Sequence, residues 1–209
     1  MIKMIERIME DTTKSEEMEQ HFIERTKEHI NLVRGAIDKI VNRNPEWRAF
    51  YENELIQRGE VHDQSKFEEP ERTPYISITW RHKEERDNDE FDPINDKGYQ
   101  TPGMLSKKEE NQATLHHVTT NSHHPEAHLK DKSDANINAK DRDKSDKCID
   151  ASNMPNIDIA EMVADWQAMS EELQKNTARE WFDKQKDIRW HFSDEQVVLI
   201  DKLLKVFEE

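Results

Sequence analysis

The stretch "MEQHFIERTKEHINLVRGAIDKIV", residues 18–41, repeats apolar side chains at Phe22, Ile30, Val33, Ile37 and Ile40 and fills the gaps with charge. Steps of three and four residues trace one stripe along a helix. The rest of the chain follows the same preference. Only four glycines occur in 209 residues, alternating β-branched runs are few, and Glu, Lys, Gln and Met are frequent. Those residues favour helix over sheet. The chain therefore reads as all-α, a single compact domain of about six helices over 1–209.

Working outward from that helix, a second is expected to open at Pro45, with Trp47, Phe50, Tyr51 and Leu55, and to break near Gly59. "ERTPYISITWRHKEE" forms a third, with Tyr75, Ile78 and His82 on one side. Ser106 and Glu109 make a capping box for the next. With Asn156 as N-cap, "IDIAEMVADWQAMSEEL" forms a helix that places Asp158, Met162, Asp165 and Met169 on one face. Thr177 with Glu180, and Ser193 with Gln196, cap the last two, and Phe192 with Val197 makes a hydrophobic staple. Residues 86–105 carry the Pro, Gly and Asn-Asp signals of a long loop, and 129–148 read as a polar loop within the domain.

Hydrophobic residues make up 33% and charged residues 37%, with a formal net charge of −15. No basic stripe is present to bind a run of phosphates, so an extended nucleic-acid surface is excluded while a local phosphate pocket is not. The single Cys148 excludes an internal disulfide. The N-terminus "MIKMIERIMEDTTK" is too charged for a secretory segment, and no run approaches the roughly 20 apolar residues of a membrane span. The expected location is the cytoplasm, with no membrane partner.

Five of the ten histidines fall within "LHHVTTNSHHPEAH", residues 115–128. Metal is the chemistry such clustering suggests. A divalent cation used for catalysis takes imidazole and carboxylate ligands and keeps positions open for water and substrate. His29, the adjacent pair His62 and Asp63, and Asp165 supply two of each. Neighbouring residues point apart on a regular helix, so His62 and Asp63 can share one ion only at a helix end. Gly59 before the pair and Ser65-Lys66 after it make such a junction plausible.

A histidine, then "HD", then a distant aspartate is the signature of the HD-domain phosphohydrolases, which this chain resembles. With "HDQSKF", "PYI", "HHVTTNSHHPEAH", "EMVADWQAMSEE" and "WF" in order over roughly 22–200, it is similar to a family of bacterial and phage proteins related to that superfamily. The resemblance implies a helical fold and metal ligands at His29, His62, Asp63 and Asp165. The nucleotidase branch has an acidic residue shortly after "HD"; this chain has Lys66, as in the "HD-x-G-K" pattern, which suits an anchor for phosphate or carboxylate better than a base. Two-metal members add histidines between "HD" and the final aspartate. His117, His123 and His124 are the candidates here, either for a second ion or for phosphate. Pro125 biases His124 toward extended backbone, so the imidazoles of His123 and His124 are expected to diverge, one to metal and one to substrate. Asp158 is read as a dipole partner of its helix.

The function implied is a metal-dependent phosphohydrolase acting on a nucleotide or other small phosphate ester. A di-iron oxygenase on the same ligands, and a non-catalytic metal-binding or interaction protein, stay open. The cofactor would be one or two divalent ions of manganese, cobalt, magnesium, nickel or iron. The partner would be a small phosphorylated molecule, and self-association into a homo-oligomer is left open.

Overall fold

Helix α1 (Ile2–Arg43) contains the stripe that opens the sequence reading, and Met18, Phe22, Ile30, Val33, Ile37 and Ile40 along it are all buried. The computed structural model describes residues 2–87, 104–135 and 148–208, with side chains from residue 12. Most of the two expected loops, at 86–105 and 129–148, lies outside the described residues. The described residues are all-α, with seven α-helices and two short strands.

The sequence reads as one helical domain; the chain packs as two compact units, residues 1–27 with 65–114 and residues 28–64 with 115–209. The first unit holds the start of α1, all but the first residue of a 3-10 turn at Gln64–Phe67, helix α3 (Arg72–Asp87) and the start of α4 (Lys107–Thr120). Met18, Trp80 and Met104 form its apolar cluster, and Phe22 meets Phe67 at 5.5 Å between ring centroids. The buried residues of α3 are Ser77, Thr79, Trp80 and Arg81. A polar contact accounts for the burial of Ser77 and Arg81. Arg81 pairs with buried Glu110 at 2.9 Å, and the Ser77 hydroxyl donates to the same carboxylate at 2.9 Å, satisfying groups that would be costly to bury alone. The Ser106 and Glu109 capping box forms as expected.

The second unit is built around α5 (Asn156–Leu173), which packs on α2 (Pro45–Val61), α6 (Ala178–Gln185) and α7 (Asp194–Leu204). Its core joins Val33, Ile37 and Ile40 to Leu55, Ile159, Met162, Phe182, Ile200 and Leu204. Trp166 stacks on Trp190 at 5.7 Å and on Phe182 at 6.0 Å. Strands β1 (Ile149–Asp150) and β2 (Trp190–His191) pair in parallel. Both later capping boxes form, at Thr177 with Glu180 and at Ser193 with Gln196. Two boundaries differ from the sequence reading. Asn156 is the first residue of α5 and Pro155 its N-cap. Helix α2 runs through Gly59 to Val61, because that glycine serves close packing: a Cβ there would lie 2.9 Å from Ile37 Cδ1. No helix among the described residues is long and apolar enough to cross a membrane.

Candidate metal centre

Helix α2 stops at Val61, and the two residues that follow leave helical geometry. His62 has φ −51 and ψ 132, and Asp63 has φ 56, in the left-handed region. Aspartate is one of the few non-glycine residues that enter this region readily, at a cost of about 1–2 kcal/mol. The reversal turns two neighbouring side chains into one space. Both are buried, and His62 Nε2 lies 3.8 Å from Asp63 Oδ2.

Helix α1 brings His29 to the same place. Its Nε2 donates to Asp165 Oδ1 at 3.0 Å and lies 3.7 Å from Asp63 Oδ2, while Nδ1 is 3.4 Å from Glu172 Oε2. Helix α5 supplies Glu161, Asp165 and Glu172, spaced by four and seven residues and hence on one face. Glu161 Oε1 accepts from His62 Nδ1 at 2.9 Å and lies 3.4 Å from His123 Nδ1. Its other oxygen accepts from Arg58 Nη1 at 3.2 Å; Arg58 also donates to Ser122 Oγ at 3.1 Å and to Asp158.

The histidine-rich segment completes the site. Helix α4 delivers His117, the Asn121 amide donates to the His117 carbonyl at 2.9 Å and lies 3.1 Å from His117 Nδ1, and His124 N closes a turn onto Asn121 O at 3.1 Å. A 3-10 turn at Pro125–His128 follows, anchored through Glu126, which accepts from Arg189 at 3.3 Å and from the Trp190 indole at 3.4 Å. His117 Nε2 and His123 Nε2 approach Asp63 Oδ1 at 3.2 and 3.7 Å. Asp63 therefore divides its carboxylate, Oδ2 toward His29 and Oδ1 toward His117 and His123.

Electrostatics follow from this packing. Burial opposes charge on His29, but Asp165 and Glu172 beside it outweigh that and raise its pKa to about 9. Burial likewise opposes charge on Asp165, and its partner His29 overcomes this to hold it at about 2. Glu161 is held well below the usual carboxylate range, because His123 and His62 more than offset its burial.

Among the described residues, three groups of three donors could hold a metal ion: His29, His62 and Asp63; His62, His123 and Asp165; and His117, His123 and His124. Within each group the ligand atoms lie within 4.8 Å of one another. His62 Nε2 is buried and makes no hydrogen bond. An imidazole nitrogen so placed among carboxylates fits a cation, so the residues present suit the metal that the sequence implies.

The four expected ligands His29, His62, Asp63 and Asp165 converge, and His117, His123 and His124 join them. One expectation is corrected: His123 and His124 do not diverge. His124 is extended as Pro125 requires, with φ −104 and ψ 134, yet the two rings stand 4.2 Å apart between centroids and both belong to one donor group. Asp158 is more than a dipole partner, since it is buried, pairs with Arg58 and lies 3.5 Å from His128 Nε2. Lys66 lies in the first unit, on the 3-10 turn, with Nζ 5.0 Å from the Tyr75 ring centroid. Sequence reasoning missed Glu161, Glu172 and Arg58. The signal was spacing. Glu161 is one helical turn before Asp165, and Arg58 is four residues before His62.

Fold and site together define an all-helical protein with a buried histidine and carboxylate cluster able to hold metal. The chain belongs to the family of unknown function DUF5662, whose profile matches residues 18–206. No curated protein and no solved structure matches it.

Proposed function

We propose that this chain is a metal-dependent phosphohydrolase acting on a nucleotide or another small phosphate ester, and that it is related to the HD superfamily. The observation that supports this most is the divided carboxylate of Asp63, with imidazoles facing both oxygens. His29, His62, Asp63 and Asp165 would hold a divalent cation. His123, His124 and His117, with Asp63 shared, are the residues for a second. Mixed imidazole and carboxylate donors suit manganese, cobalt, nickel or iron better than magnesium. A bound divalent cation supplies charge against the phosphate and makes water a better nucleophile at neutral pH.

The chain's own residues would do the rest. The anionic carboxylates balance the charge of the cation. The Asn121 amide donates to the His117 carbonyl and lies 3.1 Å from Nδ1, which holds the ring with Nε2 facing Asp63 Oδ1. Where no second ion is held, that nitrogen can carry the ring proton and donate to an anionic oxygen. Lys66, which the "HDQSK" motif suggests as an anion anchor, belongs to the first unit and is given no part in this site.

The imidazole-rich group of His117, His123 and His124 favours a second reading, a di-iron oxygenase, because nitrogen donors also suit iron. Metal analysis of purified protein, followed by a phosphate-release screen over nucleotides and phosphate esters with manganese, cobalt or magnesium, separates the two. Release that depends on added metal supports the hydrolase. Two irons per chain with a visible charge-transfer band, and no release, support the oxygenase. No retained metal and no release would leave an interaction protein.

A further inference from the structure

His62 and His123 come from different parts of the chain, the end of α2 and the turn after α4, yet both aim Nδ1 at one atom. Glu161 Oε1 is 2.9 Å from His62 Nδ1 and 3.4 Å from His123 Nδ1. An ionised carboxylate only accepts hydrogen bonds, so each imidazole facing it must carry its proton on Nδ1. In the neutral rings that a cation would bind, the opposite nitrogens then hold lone pairs. His62 Nε2 lies 3.8 Å from both Asp63 and Asp165, and His123 Nε2 lies 3.7 Å from Asp63.

Arg58 fixes the acceptor itself. A guanidinium only donates, and Arg58 Nη1 holds Glu161 Oε2 at 3.2 Å. The same nitrogen reaches Ser122, next to His123 in the chain, at 3.1 Å, and Arg58 stands one helical turn before His62. One arginine therefore ties the shared carboxylate to the histidine turn from a position on the helix that bears His62.

We propose that Glu161 and Arg58 act together as positioning residues that decide which nitrogen of His62 and His123 carries the proton, leaving both Nε2 lone pairs for a cation. This rests on the metal reading above. Outer groups that orient a ligating histidine commonly alter metal affinity 10–100-fold.

The isosteric change Glu161→Gln gives a sharp test. Arg58 offers only donors, so it draws the amide oxygen of the new side chain to itself and turns the NH2 group toward His62 and His123. Both imidazoles must then accept at Nδ1 and place their protons on Nε2, where the cation would bind. Nitrogen-15 shifts of the imidazoles in chelator-treated protein should show His62 protonated on Nδ1 in the wild type and on Nε2 in E161Q. Affinity for Mn2+ or Co2+, read by competition with a chelator, should fall about 10–100-fold. In the double variant R58M/E161Q the amide is free to turn back, so affinity should recover by about tenfold over E161Q.

A wild-type tautomer pattern in folded E161Q overturns the inference. If E161Q does not fold, the wild type alone decides, since a metal-free His62 protonated on Nε2 overturns it equally. Should the wild type bind neither ion while the tautomers invert as described, the positioning inference stands and the metal reading fails.

Discussion

His29 and Asp165 meet at 3.0 Å inside the second unit, one from α1 and the other from α5, and each shifts the other's titration in the direction of a charged pair. This contact makes stability depend on pH. The folded pKa of His29 is about 9, above the ordinary 6.5, so folding favours the protonated ring. The stabilisation is fully present below about pH 6.5 and is lost as pH rises through about 9. The lowered pKa of Asp165 reports the same contact from the other side and is not added to it. In chelator, denaturant unfolding should lose on the order of 2–3 kcal/mol between pH 6.5 and 9.5. A bound cation replaces that proton, so saturating Mn2+ should flatten the slope. His29→Gln should flatten it without metal, and a slope unchanged in that variant would mean the titration arises elsewhere.

Asp63 faces four imidazoles, with His29, His62, His117 and His123 all within 3.8 Å. Asp63→Ala should therefore lower both metal content and thermal stability, because an ion bound only by the folded chain stabilises it by about 2.7 kcal/mol at one hundred times its Kd. Asp63→Asn separates charge from backbone, since asparagine also tolerates the left-handed conformation that Asp63 adopts at φ 56. Loss of metal in both variants assigns the effect to the carboxylate. Full retention of metal in Asp63→Ala removes Asp63 from the ligand set.

Much of this was legible in the sequence, for identifiable reasons. The helix with Phe22, Val33 and Ile37 follows a strong 3.6 period, and the capping boxes at Thr177 and Ser193 are local hydrogen-bond patterns that need no tertiary knowledge. His29, His62, Asp63 and Asp165 were legible because a histidine, "HD" and a later aspartate stand in order along the chain. Glu161, Glu172 and Arg58 were not, because Glu, Lys and Arg are scattered throughout a chain that is 37% charged, and only packing shows which of them are buried. The close approach of His123 and His124 was missed for another reason. The pre-proline rule constrains one residue's backbone, whereas the ring directions depend on the whole turn that Asn121 and Glu126 fix.

Gly59 illustrates a residue whose role inverted between sequence and structure. Within α2 an alanine would gain about 1 kcal/mol of helix propensity, but its Cβ would stand 2.9 Å from Ile37 Cδ1 in the core. Overpacking of this kind costs about 1–3 kcal/mol. Gly59→Ala should thus be neutral to destabilising by up to about 2 kcal/mol. In the double variant with Ile37→Val, which removes the crowding methyl, Gly59→Ala should become less costly than on its own. Urea unfolding of the four proteins in the cycle measures this, and strict additivity would show that the two residues do not clash.

The number of ions turns on His123 and His124. His123 belongs to two donor groups, one with His62 and Asp165 and one with His117 and His124, whereas His124 belongs only to the latter. If the histidine segment holds its own ion, His124→Ala should lower the metal-to-protein ratio by about one while His29, His62, Asp63 and Asp165 retain the other. His123→Ala should do the same and also weaken the remaining ion, because it removes one of the two imidazoles that face Glu161. Metal analysis after equilibration at a fixed free ion concentration reads both. A ratio unchanged in both variants, with activity lost, would make the segment a phosphate-binding surface beside a mononuclear site. A ratio and activity unchanged in both would remove the histidine turn from the chemistry altogether.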